Sequence, residues 1–254
     1  MTEAKPRISV VMCAHNEQER LPGCLEKVSF ADEIIVVCDK CTDQTEEVAQ
    51  KYGAKTVVGS WDIEGARRNR AIEEATGDWI FELDADEHVS EELAISIRAA
   101  VRSDAFDLYV VPVDNYVGKR LVRYGWGASF GTSAVWRLFR KGHKNWGSQR
   151  VHPSFDMQGR KGPKLNGALL HFVDRNISDM ICRLDSYSTA RAADLRESGD
   201  IGTFANNFRR IFSRFYRCFV ARKGYKEGGM GFLIALFGAL FPILSYLKAR
   251  YEDT

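Results

Sequence analysis

Along the first hundred residues, short apolar runs alternate with polar stretches long enough to form helices. Ile8-Ser9-Val10-Val11-Met12 reads as a strand leading into His15-Asn16-Glu17. Asn16 stands where it could cap a helix running toward Ser29, with Pro22 delaying its start. Glu33 to Cys38 is a second strand, followed by a helix from about Thr42 to Gly53 and a short strand at Lys55-Thr56-Val57-Val58. A third helix is predicted from about Glu64 to Thr76, with Gly77 as its stop. Trp79-Ile80-Phe81-Glu82-Leu83 is the fourth strand, and Ser90 caps a helix reaching about Arg102. Apolar strands separated by helices predict an α/β fold, a mainly parallel sheet covered on both faces. Further on, strands are expected at Tyr109–Val113 and Ala134–Phe139, and a long helix from Ile177 to Ser198 between Asn176 and Gly199.

In such sheets ligands sit outside the carboxyl ends of the strands. The polar clusters His15–Glu17, Asp39–Asp43 and Asp84–Asp86 all follow strand ends. The last is the most specific. In extended backbone, residues i and i+2 point the same way, so Asp84 and Asp86 are expected to face one point across the small Ala85. Two hard oxygen ligands suit Mg²⁺ or Mn²⁺, which keeps water and phosphate oxygens in its shell. That implies chemistry on a nucleotide diphosphate. An acidic turn facing water is the other reading of the same residues. His88 lies two residues further and either completes the shell or sits exposed in the turn.

Composition narrows the partners. The 254 residues are 45% hydrophobic and 28% charged, as in a folded globular chain. Lys and Arg (36) nearly balance Asp and Glu (34), leaving +2, which gives no ground for a nucleic-acid partner. Six cysteines show no disulfide-framework spacing and fit a reduced compartment. Cys38-Asp39-Lys40-Cys41 lacks the second pair that a zinc site needs. The segment Met1–Arg7 has no signal-peptide apolar region, so a cytoplasmic catalytic part is expected.

Two late segments suggest a membrane surface. Phe204, Phe208, Ile211, Phe212, Phe215 and Phe219 recur at helical spacing, while Arg210, Arg214 and Arg217 share another face. This suits a helix resting on anionic lipid; a helix packed on the core with a basic solvent face is the alternative. Gly228 to Leu247 is uncharged, but its apolar part is shorter than the roughly 20 residues of a span and Pro242 interrupts it. It is expected to dip into the membrane as a monotopic or re-entrant anchor.

The stretches Ile8–Glu17, Val36–Thr45 and Leu83–Glu87 together resemble family 2 glycosyltransferases, whose three motifs fall in this order and spacing. Trp136–Gly142, Gly167–Phe172, Arg183–Ser188 and Gly228–Phe232 resemble the branch that decorates lipopolysaccharide core. The resemblance implies a GT-A fold and transfer from a nucleotide sugar with inversion. It divides the chain by role into a nucleotide-sugar half (1–114), an acceptor half (115–200) and a membrane-associating helical segment (201–254).

By the same resemblance, Asp39 accepts the uracil N3–H, unless it only starts the next helix. His15, Asn16 and Glu17 line the nucleoside pocket, and Arg68 reaches a phosphate. Asp84 and Asp86 hold the cation, with Asp84 also near ribose. Relatives often carry glutamate where this chain has Pro153, so the general base is open, with Asp156 and His152 as candidates. His171 fits either acceptor binding or a satisfied core histidine. The implied activity moves a hexose, with glucose first, from a UDP-sugar to a lipid-linked saccharide at the cytoplasmic face of the inner membrane. A polyprenyl-phosphate glycosyltransferase and a membrane-bound pseudo-enzyme are the alternatives.

Overall fold

The computed structural model describes residues 5–126, 131–148 and 153–252. Among the described residues, twelve strands run in chain order: β1 (Ile8–Ala14), β2 (Glu33–Asp39), β3 (Lys55–Gly59), β4 (Trp79–Glu82), β5 (Glu87–Val89), β6 (Leu108–Val117), β7 (Arg120–Val122), β8 (Ala134–Arg140), β9 (Lys144–Trp146), β10 (Phe155–Met157), β11 (Lys161–Lys164) and β12 (Leu169–Asp174). The helices are α1 (Leu21–Leu25), α2 (Thr45–Lys51), α3 (Glu64–Glu74), α4 (Glu91–Ala100), α5 (Ile177–Ser198), α6 (Phe204–Tyr216) and α7 (Gly229–Tyr251). Contacts gather the chain into two units, one drawn from 5–113, 134–148 and 153–171, the other from 114–126, 131–133 and 172–252. Residues 134–148 and 153–171 group with the first hundred residues.

The first unit is built on a mixed sheet of order β3-β2-β1-β4-β8-β6-β12-β5. Strands β1 to β4 pair in parallel, and β8 then runs antiparallel beside β4. Alternation along β1 explains why both faces are covered. Ile8, Val10 and Met12 point into one cluster with Trp79, Phe81 and residues of α1 and α4, while Val11 joins Ile35, Ile80 and Phe139 on the face of α3. Apolar runs without polar alternation are what a sheet buried on both sides requires.

Local signals hold where they are strongest. Ser90 Oγ accepts from the Leu93 amide and caps α4. The α1 segment is a short helix starting at Leu21 beside Pro22, not a longer helix from Asn16; its N-cap is Arg20, without a side-chain bond. Gly77 stops α3 by proximity, because a Cβ there would lie 2.7 Å from Ser9 Oγ.

The second unit is helical around the β6–β7 hairpin. α5 begins at Asn176, whose side chain accepts from the Asp179 amide, and ends at Gly199 in the left-handed region. α7 packs along both α5 and α6. Its Ile234, Phe237 and Phe241 are buried with Trp126, Met180 and Leu184. By length and composition α7 is long and apolar enough to cross a membrane, and much of its apolar surface is covered by the chain. Apolarity all round a helix marks burial, and here protein provides much of it. α6 does the opposite. Phe204, Phe208, Phe212 and Tyr216 form an i, i+4 row that is 47–64% exposed, while Asn207 is buried. Phe215 and Phe219 of the expected stripe instead pack their rings on Phe232.

Candidate active site

The strand order reverses direction around β1, with β2 on one side and β4 on the other, and the site residues follow these three carboxyl ends. β1 gives way to His15 and Asn16. His15 Nδ1 donates to the Asp39 carbonyl at 2.7 Å, tying the end of β1 to the end of β2. Asn16 takes a positive φ of 56°, and its Oδ1 accepts from the Thr42 amide at 2.8 Å, so it fastens the β2 loop instead of capping α1. The Glu17 amide donates to Thr45 Oγ1. Burial pushes the Glu17 carboxyl up, partly offset by Arg20.

Asp39 is 5% exposed at the end of β2. Its Oδ1 accepts from the Trp61 amide at 2.9 Å and its Oδ2 from Arg67 Nη1 at 3.1 Å. The next residue of α3, Arg68, turns to the third strand end and places Nη1 3.1 Å from Asp84 Oδ1. Adjacent arginines of one helix therefore hold the carboxylates that flank β1.

Asp84 and Asp86 lie in a tight turn after β4, closed by the Glu87 amide donating to the Asp84 carbonyl at 3.0 Å. The extended geometry expected for them does not occur, because β4 ends at Glu82 and β5 starts at Glu87. The two carboxylates consequently meet different partners. Asp84 Oδ2 accepts from Arg137 Nη2 at 2.6 Å, and the same nitrogen reaches Glu87 Oε1 at 3.1 Å. Burial works against ionised Asp84, but Arg137 and Arg68 outweigh it and hold the carboxyl well below the ordinary range. Glu87, 2% exposed, is pushed the other way to about 7, by burial first and by Asp84 and Asp86, against the pull of Arg137.

Asp86 Oδ2 lies 3.4 Å from Nε2 of His171, which β12 sets opposite Glu87 in antiparallel register. Burial opposes protonation of His171, yet Asp86, Glu87 and Asp84 raise its pKa above the ordinary value. His88 alternates away from Glu87 on β5, and its ring covers Gly23, where a Cβ would approach Nε2 to 3.1 Å. Among the described residues, no three histidine, cysteine or acidic side chains gather as a metal cluster.

Behind the rim, buried Glu82 accepts from Lys144 Nζ and Trp146 Nε1, each at 2.5 Å. Burial lowers Lys144 to about 8, although Glu82 opposes the shift. The Arg68 guanidinium lies 5.0 Å over the Trp146 ring, so this buried pair supports it from beneath. Asp156 is exposed on β10 opposite Asn145, on the hairpin face away from Lys144 and Trp146. His152 lies outside the described residues. Arg137, Glu87 and the Glu82–Lys144 pair were not among the expected site residues. For Arg137 and Glu82 the signal in the sequence is a charge inside an otherwise apolar strand, as in Ala134-Val135-Trp136-Arg137-Leu138-Phe139; Glu87 and Lys144 carry no such signal.

Comparison with known proteins bears on the family and the fold. Residues 9–161 match the model of the glycosyl transferase family 2 domain. The lipopolysaccharide core biosynthesis glycosyltransferase LpsC of Rhizobium meliloti is 26% identical over 96% of this chain and 91% of its own length. A glycosyltransferase of Rickettsia typhi is 28% identical over 96% of this chain and 87% of its own. Among solved structures, Staphylococcus aureus TarS 1–349 in complex with UDP-GlcNAc superposes with a TM-score of 0.51 at 14% identity, covering 93% of this chain and 81% of that one. That likeness is one of fold, a GT-A sheet flanked by helices. With the family domain spanning more than half its length, the chain belongs to glycosyl transferase family 2.

Proposed function

We propose that this glycosyltransferase moves a hexose, glucose first among the candidates, from a UDP-sugar to a lipid-linked saccharide of the lipopolysaccharide-core type, with inversion at the anomeric carbon. One observation carries the reading: Arg67 and Arg68, adjacent on α3, hold Asp39 and Asp84 at the strand ends on either side of β1. Each Asp39 oxygen retains a lone pair beyond its protein donor, which is what a uracil N3–H needs. His15, Asn16 and Glu17 border the nucleoside. Arg68 and Arg137 are the guanidinium forks suited to the diphosphate; Arg137 Nη1 is buried with no hydrogen-bond partner among the described residues.

The donor set around Asp86 fits a divalent cation. Its carboxylate and the His171 imidazole offer one oxygen and one nitrogen, and Mg²⁺ or Mn²⁺ takes its remaining ligands from phosphate and water. Asp84 joins only if a guanidinium releases it, and His88 is committed to the α1 side. When bound, the cation neutralises charge on the departing diphosphate. The acceptor hydroxyl needs a base, for which Asp156 and His152 remain the candidates. The exposed aromatic row of α6 supports attachment to the cytoplasmic face of the inner membrane, where a lipid-linked acceptor is presented.

A UDP-release screen tests this with UDP-glucose, UDP-galactose and UDP-GlcNAc against truncated lipopolysaccharide cores, with and without Mn²⁺. Activity with one UDP-sugar is expected, reduced at least 100-fold in Asp86→Ala and with a raised donor KM in Asp39→Asn. Full turnover by Asp86→Ala removes the cation assignment. Failure of every UDP-sugar to bind removes the donor class.

A further inference from the structure

Glu82 and Lys144 form an ion pair that no step of the proposed reaction uses. Their side chains are only 3% and 1% exposed, with Lys144 Nζ 2.5 Å from Glu82 Oε2. Lys144 Nζ also donates to the Trp136 carbonyl at 3.0 Å. The other Glu82 oxygen accepts from Trp146 Nε1 at 2.5 Å, and the Lys144 ammonium lies 4.0 Å from the centre of the Trp146 ring. One carboxylate and one ammonium therefore fix both the edge and the face of a single indole.

The backbone of Trp146 is fixed as well. Asn69 Oδ1 accepts from the Trp146 amide at 2.9 Å, and Asn69 Nδ2 donates to the Trp146 carbonyl at 3.0 Å. Gly65, one turn earlier on the same face of α3, meets the Gly147 carbonyl so closely that no side chain fits between them. Arg68 stands on that face too, its guanidinium 5.0 Å over the Trp146 ring. Arg68 Nε donates to Glu64 Oε1 at 2.9 Å and Nη1 lies 3.1 Å from Asp84 Oδ1, while Nη2 has no hydrogen-bond partner among the described residues.

Stability does not account for the buried pair, since apolar residues of similar volume commonly replace such a pair without loss. Its effect on Arg68 does. A phosphate that captures a mobile arginine must freeze its rotamers on binding. An indole against the guanidinium face and carboxylates on its edge remove that freedom beforehand, and they leave in-plane N–H donors for phosphate oxygens.

We propose that Trp146, held by the Glu82–Lys144 pair and by Asn69, is the positioning residue that presents Arg68 to the donor diphosphate. The proposal rests on the UDP-sugar reading above and deepens it by separating a phosphate subsite from the nucleoside subsite. Trp146 acts on the donor through Arg68 alone, so its loss weakens the diphosphate contact and leaves the uracil contact at Asp39 as it is.

The test is calorimetric titration of the full chain with UDP and with uridine, without divalent cation, so that protein donors alone read the phosphates. Trp146→Leu keeps apolar bulk and removes the aromatic face; its UDP Kd is expected to rise about tenfold, with the uridine Kd unchanged. Trp146→Phe restores the face and should recover most of the UDP affinity. Asn69→Ala keeps the Glu82–Lys144 pair and should show the same selective loss at smaller size, which carries the test if Trp146→Leu does not fold. Equal losses of UDP and uridine affinity, or an unchanged UDP Kd in the folded variants, overturn the positioning role. A wild type that binds uridine as tightly as UDP takes Arg68 away from the phosphates and overturns the proposal with it. A wild type that binds neither overturns the UDP-sugar reading itself, whereas a wild type that prefers UDP leaves that reading standing, and the variants then decide on Trp146 alone.

Discussion

At the scale of single residues, Asp84 is held by two arginines, of which Arg68 was expected at the site and Arg137 was not. Arg137 stands 53 positions from Asp84, and nothing in a linear reading pairs them. Asp84 and Glu87 share this one guanidinium and separate in acidity because Arg68 adds its charge to Asp84 alone. Replacing Arg137 by Met leaves two buried carboxylates with less compensation. A loss of about 3 kcal/mol is expected in urea unfolding; a loss below about 1 kcal/mol would show that the pair is not structurally important. Glu87 offers a pH signature. Its folded pKa of about 7 lies above its ordinary 4.5, so the native chain holds a proton that the unfolded chain has released. Its stabilisation is present in full below pH 4.5 and is lost as pH rises toward 7. Asp84, shifted down, acts only below its ordinary 3.8 and leaves that window clear. Glu87→Gln should flatten the fall in stability between pH 5 and 7; identical slopes in variant and wild type would remove the assignment.

At the scale of elements, local rules predicted α4 and α5 well, because Ser90, Asn176 and Gly199 carry their own hydrogen-bonding or φ preferences. They failed at Asn16, where a tertiary bond to Thr42 replaces the cap. They also failed at Asp84–Asp86, where a turn between two strands replaces extended backbone. The position of α3 matters most for the chemistry, since it carries both Arg67 and Arg68. At Gly65 this helix lies so close to the segment after β9 that a Cβ would fall 1.8 Å from the Gly147 carbonyl oxygen. Gly65→Ala must push the two apart, at about 1–3 kcal/mol. Its donor KM should rise because both arginines move together. Gly229→Ala, which meets nothing within 4 Å, is the matched control and should leave KM unchanged.

At the scale of the whole molecule, the two helices near the C-terminus differ in how far the chain covers them. α7 is the more apolar and is largely covered by the chain; α6, richer in charge, leaves its aromatic row uncovered. Phe208→Ser/Phe212→Ser should therefore cut vesicle binding severalfold with little change in Tm, because these rings are about half exposed or more. A large drop in Tm would return α6 to the core. Adding about 0.5 M salt should weaken only the arginine contribution, since screening acts on charges and not on buried rings. Strand and helix order, the parallel half of the sheet and the rim on which polar clusters collect were legible in the chain alone. Local periodicity dictates them, and it acts between residues a few positions apart. The partners of Asp84, the meeting of Asp86 with His171 and the covering of α7 emerged only on folding. Periodicity reports that a side chain is buried on one face, but its neighbours are set by segments distant in sequence, through packing and charge compensation.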